Sequence, residues 1–306
     1  MELRDIEYFA VVAEYGNLRR AAEALGLSQP ALSKSLRRLE GSISAKLVRR
    51  TPKGVELTTV GDALVAQVRR IRVTLDDVAR EAADLSQGRA GHLRIGASPA
   101  IGEDLPAAYA LLMEEAPKLT VRIITSDNDV TLPMLRNGEL DLIFNYTDYI
   151  PAARHDDLAQ EHLYDDELVV CASARHRLTK LKRVTLADLI QERWVLSNPQ
   201  LLNVQRLQRA FQEKGLPQPQ IAVEARSLRI RLQIWAGTDL LGYVSRRVLE
   251  RSAQQLRLRE LPVRELAWRR PVGVIYRKDA YLSPAARRFI EILKTTAREI
   301  SRAPAQ

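Results

Sequence analysis

Gln29, Ser33, Lys34 and Arg37 lie three and four residues apart in a segment whose apolar residues, Leu32, Leu36 and Leu39, fall on the opposite side of a helix. An amide, a hydroxyl and two cationic groups on one helix face are the donors and acceptors that base-edge contact in a major groove requires. Pro30 occupies the first turn of that helix, where its missing N–H costs nothing. Further on, Arg50 and Lys53 place two cations on a predicted strand and turn, suited to phosphate contact. From Ser28 to Gly54 there are seven basic residues (Lys34, Arg37, Arg38, Lys46, Arg49, Arg50, Lys53) against one acid, Glu40. The net charge of the chain is +9, but many basic proteins bind no nucleic acid, so the local excess carries the argument. The plainer alternative is a solvated face on an ordinary helical bundle.

Three kinds of element must position these groups. Helices are predicted near Asp5–Tyr15, with Ile6, Phe9, Val12 and Ala13 on one face, and near Leu18–Leu25 after an Asn17 cap. Gly26 supplies the turn, and Ser28 caps a third helix that runs to Glu40. Two short helices joined by a glycine turn form a helix-turn-helix signature. Leu47–Thr51 and Val55–Thr58 then read as strands around Pro52-Lys53-Gly54, a hairpin wing beside the third helix. Next comes one long helix, whose apolar residues Val60, Leu64, Val68, Ile71, Leu75, Val78, Ala82 and Leu85 repeat every three or four positions. At 1.5 Å per residue it is about 42 Å long. A seam of that length with polar flanks predicts a coiled-coil partner, and the alternative is a helix laid on its own domain. The expected boundaries are 1–58 for the winged head, 59–88 for the linker helix and 89–306 for the remainder.

From residue 91 onward strands alternate with helices, which predicts a mainly parallel α/β sheet. About 215 residues is large for one sheet, so two lobes with a cleft between them are expected. Ligands in open α/β sheets sit beyond the carboxyl ends of strands. Ser98, Asn128, Asn145, Ser197 and Asn198 fall at such ends and are polar and uncharged. Arg226 ends another predicted strand, where it could pair bidentately with a carboxylate, and Tyr243 could supply an apolar wall. These residues predict a small anionic ligand. In the alternative, Ser98 merely caps its helix and Arg226 makes a structural salt bridge.

Other chemistry is missing from the pattern. His92, His155, His162 and His176 lack metal-ligand spacing, and Cys171, the only cysteine, sits in an apolar strand. No phosphate-cradling glycine loop and no catalytic set is discernible, and no cofactor is expected. Asp165-Asp166-Glu167 reads as a solvated turn. Hydrophobic residues make up 46% and charged residues 28%, with no apolar run near 18 residues, so a globular protein without a membrane span is expected. The first six residues do not resemble a secretory leader, which points to the cytoplasm. An enzyme would need catalytic residues the chain lacks. A transport-type solute-binding protein would leave the first 60 residues unexplained.

Those first 60 residues closely resemble the LysR-type transcriptional regulators. The resemblance rests on Leu3-Arg4, Tyr8-Phe9, Val12-Ala13-Glu14, Ala21-Ala22, Leu27-Ser28-Gln29-Pro30-Ala31-Leu32-Ser33, Arg38-Leu39-Glu40, Arg50-Thr51, Leu57-Thr58 and Gly61. Gly138-Glu139-Leu140-Asp141-Leu142 and Ala236-Gly237 with Leu241-Gly242-Tyr243 look like landmarks of the family's effector region. There are departures: Asn17 and Ser44 stand where Ser and Gly are usual, Val48 replaces Phe, and Tyr243-Val244-Ser245 replaces Leu-Leu-Pro. The resemblance implies a winged helix-turn-helix, a linker dimerisation helix and a two-lobed effector domain like a periplasmic binding protein. It also implies no enzyme activity, a homodimer or homotetramer on double-stranded promoter DNA, a small-molecule effector, and RNA polymerase as a further partner.

Overall fold

In the computed structural model the chain divides into two compact units, Met1–Arg80 and Glu81–Gln306. The structure describes residues 2–52, 54–87, 91–148, 157–278 and 280–302. Lys53 and His155 lie outside them.

The first unit is built from three helices and a hairpin: α1 (Leu3–Tyr15), α2 (Leu18–Ala24), α3 (Gln29–Ile43), β1 (Val48–Thr51) and β2 (Gly54–Leu57). Gly16 ends α1 at φ 58°, a conformation glycine adopts without a Cβ penalty. Asn17 then accepts the amides of Arg19 (2.9 Å) and Arg20 (3.1 Å), and Ser28 accepts that of Ala31 (3.3 Å). Phe9, Val12, Ala21, Leu32, Leu39 and Leu47 are sealed in one core. The hairpin is tied to the α1–α2 turn, because Val55 donates its N–H to the Gly16 carbonyl at 2.8 Å. A Cβ on Gly54 would stand 2.3 Å from that same carbonyl oxygen, so the wing can approach only through glycine.

Helix α4 (Thr59–Gln87) opens with Thr58 accepting the Gly61 amide at 3.0 Å. Its apolar seam has two fates. Leu64 and Val68 pack into the winged-helix core. Val60, Ile71, Leu75 and Val78 remain 44%, 46%, 55% and 58% exposed. The Leu85 side chain lies outside the described ones.

The second unit holds a seven-stranded sheet in the order β10-β6-β11-β5-β3-β4, with β9 also on β6. Its members are β3 (His92–Ala97), β4 (Thr120–Thr125), β5 (Leu142–Tyr146), β6 (Leu158–Ser173), β9 (Gly242–Ser245), β10 (Leu258–Leu261) and β11 (Trp268–Arg277). A separate parallel pair joins β7 (Arg193–Leu196) to β8 (Gln220–Glu224). The sheet is mixed rather than mainly parallel. β3 pairs parallel with β4 and β5, whereas β6 and β11 run antiparallel to each other, and β5, β9 and β10 join them antiparallel.

Two lobes share these long strands. Tyr164 on β6 and Val272 and Val274 on β11 enter the core of lobe 1, with α5 (Leu105–Glu115) and α10 (Pro284–Arg302). Leu168, Val170 and Ala172 on β6 and Trp268 on β11 join the core of lobe 2, which includes α7 (Leu202–Glu213). Helix α6 (Asn128–Arg136) completes lobe 1, while α8 (Leu228–Gly237) and α9 (Arg246–Leu256) cover the other face of lobe 2. The expected solvated turn at Asp165-Asp166-Glu167 is therefore part of strand β6, and Asp166 is buried. The apolar residues before it pack into lobe 1 and those after it into lobe 2, so the acidic stretch lies where a strand passes from one core to the other.

The head also carries a buried acid. Asp5 accepts Ser35 Oγ and Arg38 Nη2 at 2.5 Å each and Arg38 Nε at 2.7 Å. The Arg38 bond holds its carboxyl below the ordinary value against the cost of burial, with Ser35 helping. A depressed folded pKa contributes stability above the unfolded value and loses it as pH falls through the folded one. Asp5→Asn is thus expected to weaken the head at neutral pH and to flatten its loss of stability below about pH 4, read by denaturant titration at several pH values. In the same assay Leu39→Ala, which empties a fully buried site, should cost about 2–5 kcal/mol at every pH.

Candidate functional site

On the winged head, α3 buries Leu32, Leu36 and Leu39 and leaves Gln29, Pro30, Lys34 and Arg37 exposed, with Ser33 half-buried. Four of the seven cations counted along this stretch have defined fates or lie outside view. Arg38 is bound to Asp5, Lys46 donates to Glu40 at 2.7 Å, Arg49 pairs with Glu56 at 3.4 Å, and Lys53 is outside the described residues. Burial opposes the Glu40 charge, yet Lys46 and the Leu47 and Val48 amides hold its carboxyl below the ordinary value. Among the described residues Lys34, Arg37 and Arg50 make no ion pair. Arg37 contacts only the Ser33 carbonyl of its own helix, at 3.3 Å. Within the Ser28–Gly54 stretch the unneutralised charge thus lies on the outer face of α3 and on strand β1.

The second unit has a cavity of about 640 Å³, measured to its open mouth, between the lobes. Ser98, Asn128, Asn145, Ser197 and Tyr243 all line it. Asn145 donates to Asn128 Oδ1 at 2.7 Å and accepts the Tyr146 amide at 2.8 Å, and Asn128 donates to the Tyr146 carbonyl at 3.3 Å. The two asparagines thereby stiffen the wall. Ser98 Oγ accepts the Ala100 amide at 3.2 Å, which leaves its own proton for another acceptor. Tyr243 spends its hydroxyl on the Leu266 carbonyl at 2.7 Å, so its ring is what faces the space.

Two of the expected residues do not line this cavity. Asn198 accepts the Gln200 amide at 2.9 Å in a local turn. Arg226 pairs with Asp129 of lobe 1 at 3.2 Å and lines a neighbouring depression with Ser126 and Arg229. The guanidinium groups of the cavity are instead Arg231 and Arg270. Arg270 is buried between the Tyr146 ring (3.9 Å) and the Trp268 ring (4.5 Å), and both its Nε and Nη2 bond to Asp148. Its charge is therefore already answered. Arg231 anchors Nη1 on the Ala225 (2.9 Å) and Arg226 (3.3 Å) carbonyls. Burial opposes its charge, while Asp127 in the same cavity supports it. Sequence reasoning missed Arg231, although one signal marked it. It shares a helix face with Leu228, Leu232 and Trp235, and a cation on a buried face needs a reason.

A helix-turn-helix head with an exposed cationic helix face, followed along the chain by a unit with a cleft between two lobes, is the plan of a DNA-binding regulator with an effector-binding domain. The comparisons give the family. Residues 3–62 match the family described as bacterial regulatory helix-turn-helix protein, lysR family, and residues 86–298 match the LysR substrate binding domain. The chain belongs to the LysR family of transcriptional regulators, which are not enzymes. It is 29% identical to the HTH-type transcriptional regulator GbpR of Azospirillum brasilense, over 97% of this chain and 87% of the relative. It is 30% identical to the HTH-type transcriptional regulator GalR of Pseudomonas putida, over 93% of this chain and 71% of that one. Its fold is that of full-length CbnR solved in complex with its target DNA, with a TM-score of 0.62 at 22% identity over 97% of this chain and 100% of the other. A full-length OxyR variant from Pseudomonas aeruginosa aligns with a TM-score of 0.59 at 23% identity, over 97% and 98% of the two chains. Among the described residues no helix is long and apolar enough to cross a membrane.

The Arg270–Asp148 pair gives the cleft a testable keystone. Arg270→Ala removes one partner of a buried ion pair and should destabilise the effector unit by about 3–5 kcal/mol, read by chemical denaturation. Arg270→Met together with Asp148→Leu keeps the volume, removes both charges and is expected to recover most of that loss.

Proposed function

We propose that the chain is a cytoplasmic, homodimeric regulator that reads promoter DNA with α3 and its wing and answers to an anionic metabolite held between its lobes. The functional parts are residues 1–58 as DNA-reading head, 59–88 as dimerising linker and 89–306 as effector unit. The observation that carries the DNA assignment is the partition of charge on the head. Cations elsewhere in the stretch are spent on Asp5, Glu40 and Glu56, while Lys34, Arg37 and Arg50 are not. Gln29, Ser33 and Arg37 reach base edges or adjacent phosphates, Pro30 and Lys34 border them, and Arg50 and Lys53 hold backbone phosphate. Promoter-bound RNA polymerase is the further partner. Dimerisation is supported by Ile71, Leu75 and Val78, which lie on one stripe of α4 and are about half exposed. Water-exposed apolar residues repeated at that spacing gain by pairing with their counterparts. In the effector unit, Ser98, Asn128, Asn145, Ser197 and Tyr243 form the wall, and Arg231 receives the anion. Arg226 stands beside the cavity with Asp129 rather than at the anion.

The head is tested by gel shift on the promoter region next to the gene. Arg37→Ala should cost about 1–3 kcal/mol on the operator and relax sequence preference. Arg50→Ala should weaken binding to all sequences and reduce the slope of log affinity against log salt by about one. Unchanged affinity and slope in both variants would refute this docking. The linker is tested separately: Ile71→Asp with Leu75→Asp should yield monomers by light scattering at micromolar concentration, and a persistent dimer would remove the helix from the interface.

A further inference from the structure

The cleft contains a second charge that an anion alone does not explain. Asp127 precedes α6 in lobe 1 and lines the same cavity as Arg231 of α8 in lobe 2. It occupies the helix-capping position, yet its side chain makes no capping bond. Among the described residues its carboxylate has neither a hydrogen bond nor an ion pair. Its neighbour Asp129 is taken by Arg226. Arg231 is near enough to stabilise the Asp127 charge, but the two are not in contact as an ion pair. Burial lifts the Asp127 carboxyl above its ordinary value, and Asp129 adds to the lift, against the pull of Arg231 and Arg226. The other cleft cation, Arg270, is committed to Asp148. Two opposite, half-buried charges thus stand on opposite lobes of one cavity, each short of a partner. A desolvated charge without a partner is costly, and a ligand that brings its complement removes the cost.

We propose that the effector is a small molecule with an anionic head for Arg231 and, beside it, a hydrogen-bond donor, ammonium or hydroxyl, for Asp127. This rests on the cleft being the effector site and narrows the chemical class it takes. A carboxylate bearing an adjacent amino or hydroxyl group places both complements on one end of the molecule. The Ser98 hydroxyl, whose oxygen is bound to the Ala100 amide and whose proton is not, adds a donor for the head group. A plain carboxylate leaves Asp127 unpaired and buries a second negative charge near it, so it binds more weakly. A cation with no anionic head meets Arg231 and is rejected. The remaining length of such a ligand lies against the Tyr243 ring, Leu168 and Leu201, which are apolar walls of the same cavity.

The test uses the full-length chain and sets of three compounds that differ only beside the carboxylate. They are the proteinogenic L-amino acids, their 2-hydroxy analogues and the unsubstituted acids, screened by thermal shift with calorimetry on the hits. The expected result is a set in which the amino or hydroxy member binds at least about tenfold tighter than the unsubstituted acid, the fold-change of one charge-assisted hydrogen bond. Asp127→Asn should bring the members of that set close together, and Asp127→Ser, a smaller neutral replacement, should do the same. Arg231→Gln should abolish binding of all three. Equal affinity across every set, a preference that survives both Asp127 variants, or a panel without a binder overturns the proposed class while the cleft assignment stands. Binding indifferent to Arg231→Gln overturns the cleft assignment itself.

Discussion

The antiparallel pairing of β6 with β11 is the constraint on which the effector unit depends. Backbone amides and carbonyls inside a protein must be paired, and a long two-stranded ladder does this without a loop. Because the ladder passes through both lobes, one sheet contributes to two cores, and the lobes cannot separate without breaking it. The midpoint carries polar residues for the same reason. Asp166 and Arg270 face each other in register where neither core reaches. Tyr146 caps Asp166 with a 2.7 Å bond from its hydroxyl and offers its ring to Arg270. The Asp166 Oδ1 atom remains buried with no partner among the described residues. Just beyond, the register shifts between Val272 and Gly273, and a Cβ on Gly273 would meet the Glu161 carbonyl oxygen at 2.2 Å. A glycine is what lets the strands stay paired through the bend.

A comparable economy of charge operates in the head. A segment this basic gains nothing from burying its cations, so the fold uses three buried or adjacent carboxylates to absorb those that face structure. Asp5 and Glu40 are nearly inaccessible and each binds a cation together with a neutral donor, Ser35 for one and the Leu47 amide for the other. That arrangement joins α1 to α3 and α3 to the wing. It also fixes which side of α3 faces outward, because a rotation of the helix would expose Leu39 and strand Asp5. The exposed face of α3 is therefore defined as much by the inner ion pairs as by the outer residues.

The parts of this architecture differ in how far they could be read from the chain. The head was legible because its signals are local. Asn17, Ser28 and Thr58 cap helices within three residues of themselves, and a 3.6-residue period assigns Leu32, Leu36 and Leu39 inward without knowledge of anything else. The seam of α4 was legible as a pattern, but the pattern does not say that Leu64 and Val68 serve the head while Leu75 and Val78 remain exposed. In the effector unit, strand ends pointed to Ser98, Asn128, Asn145 and Ser197, which line the cavity, and to Asn198, which does not. The same rule placed Arg226 there, although it caps the rim with Asp129. The rule fails where two lobes meet, because the partner of Arg226 lies 97 positions away in sequence. Asp166 misled for a related reason. Three successive acids suggest solvent, and only the crossing of two long strands makes such a site polar and buried together.

The physical consequence of the cleft follows from how weakly its rim is closed. Besides the continuous strands, the lobes are linked by Arg226 with Asp129 at 3.2 Å and by Arg251 of α9 with Asp104 at 2.7 Å. Arg226 with Asp129 is a surface pair that contributes at most about 1 kcal/mol, whereas the Asp104 side chain is buried and also accepts the Tyr164 hydroxyl. The lobes are therefore joined continuously at the ladder and by a few side-chain pairs at the mouth. A ligand can change such an equilibrium only by as much as it binds one arrangement better than another. On the proposed reading, opposed charges inside raise the gain from a complementary ligand that lies between them. On the proposed reading, the leverage in this unit comes from leaving the inner charges unpaired. A direct Asp127–Arg231 salt bridge would hold the lobes shut without a ligand and leave nothing for the ligand to decide.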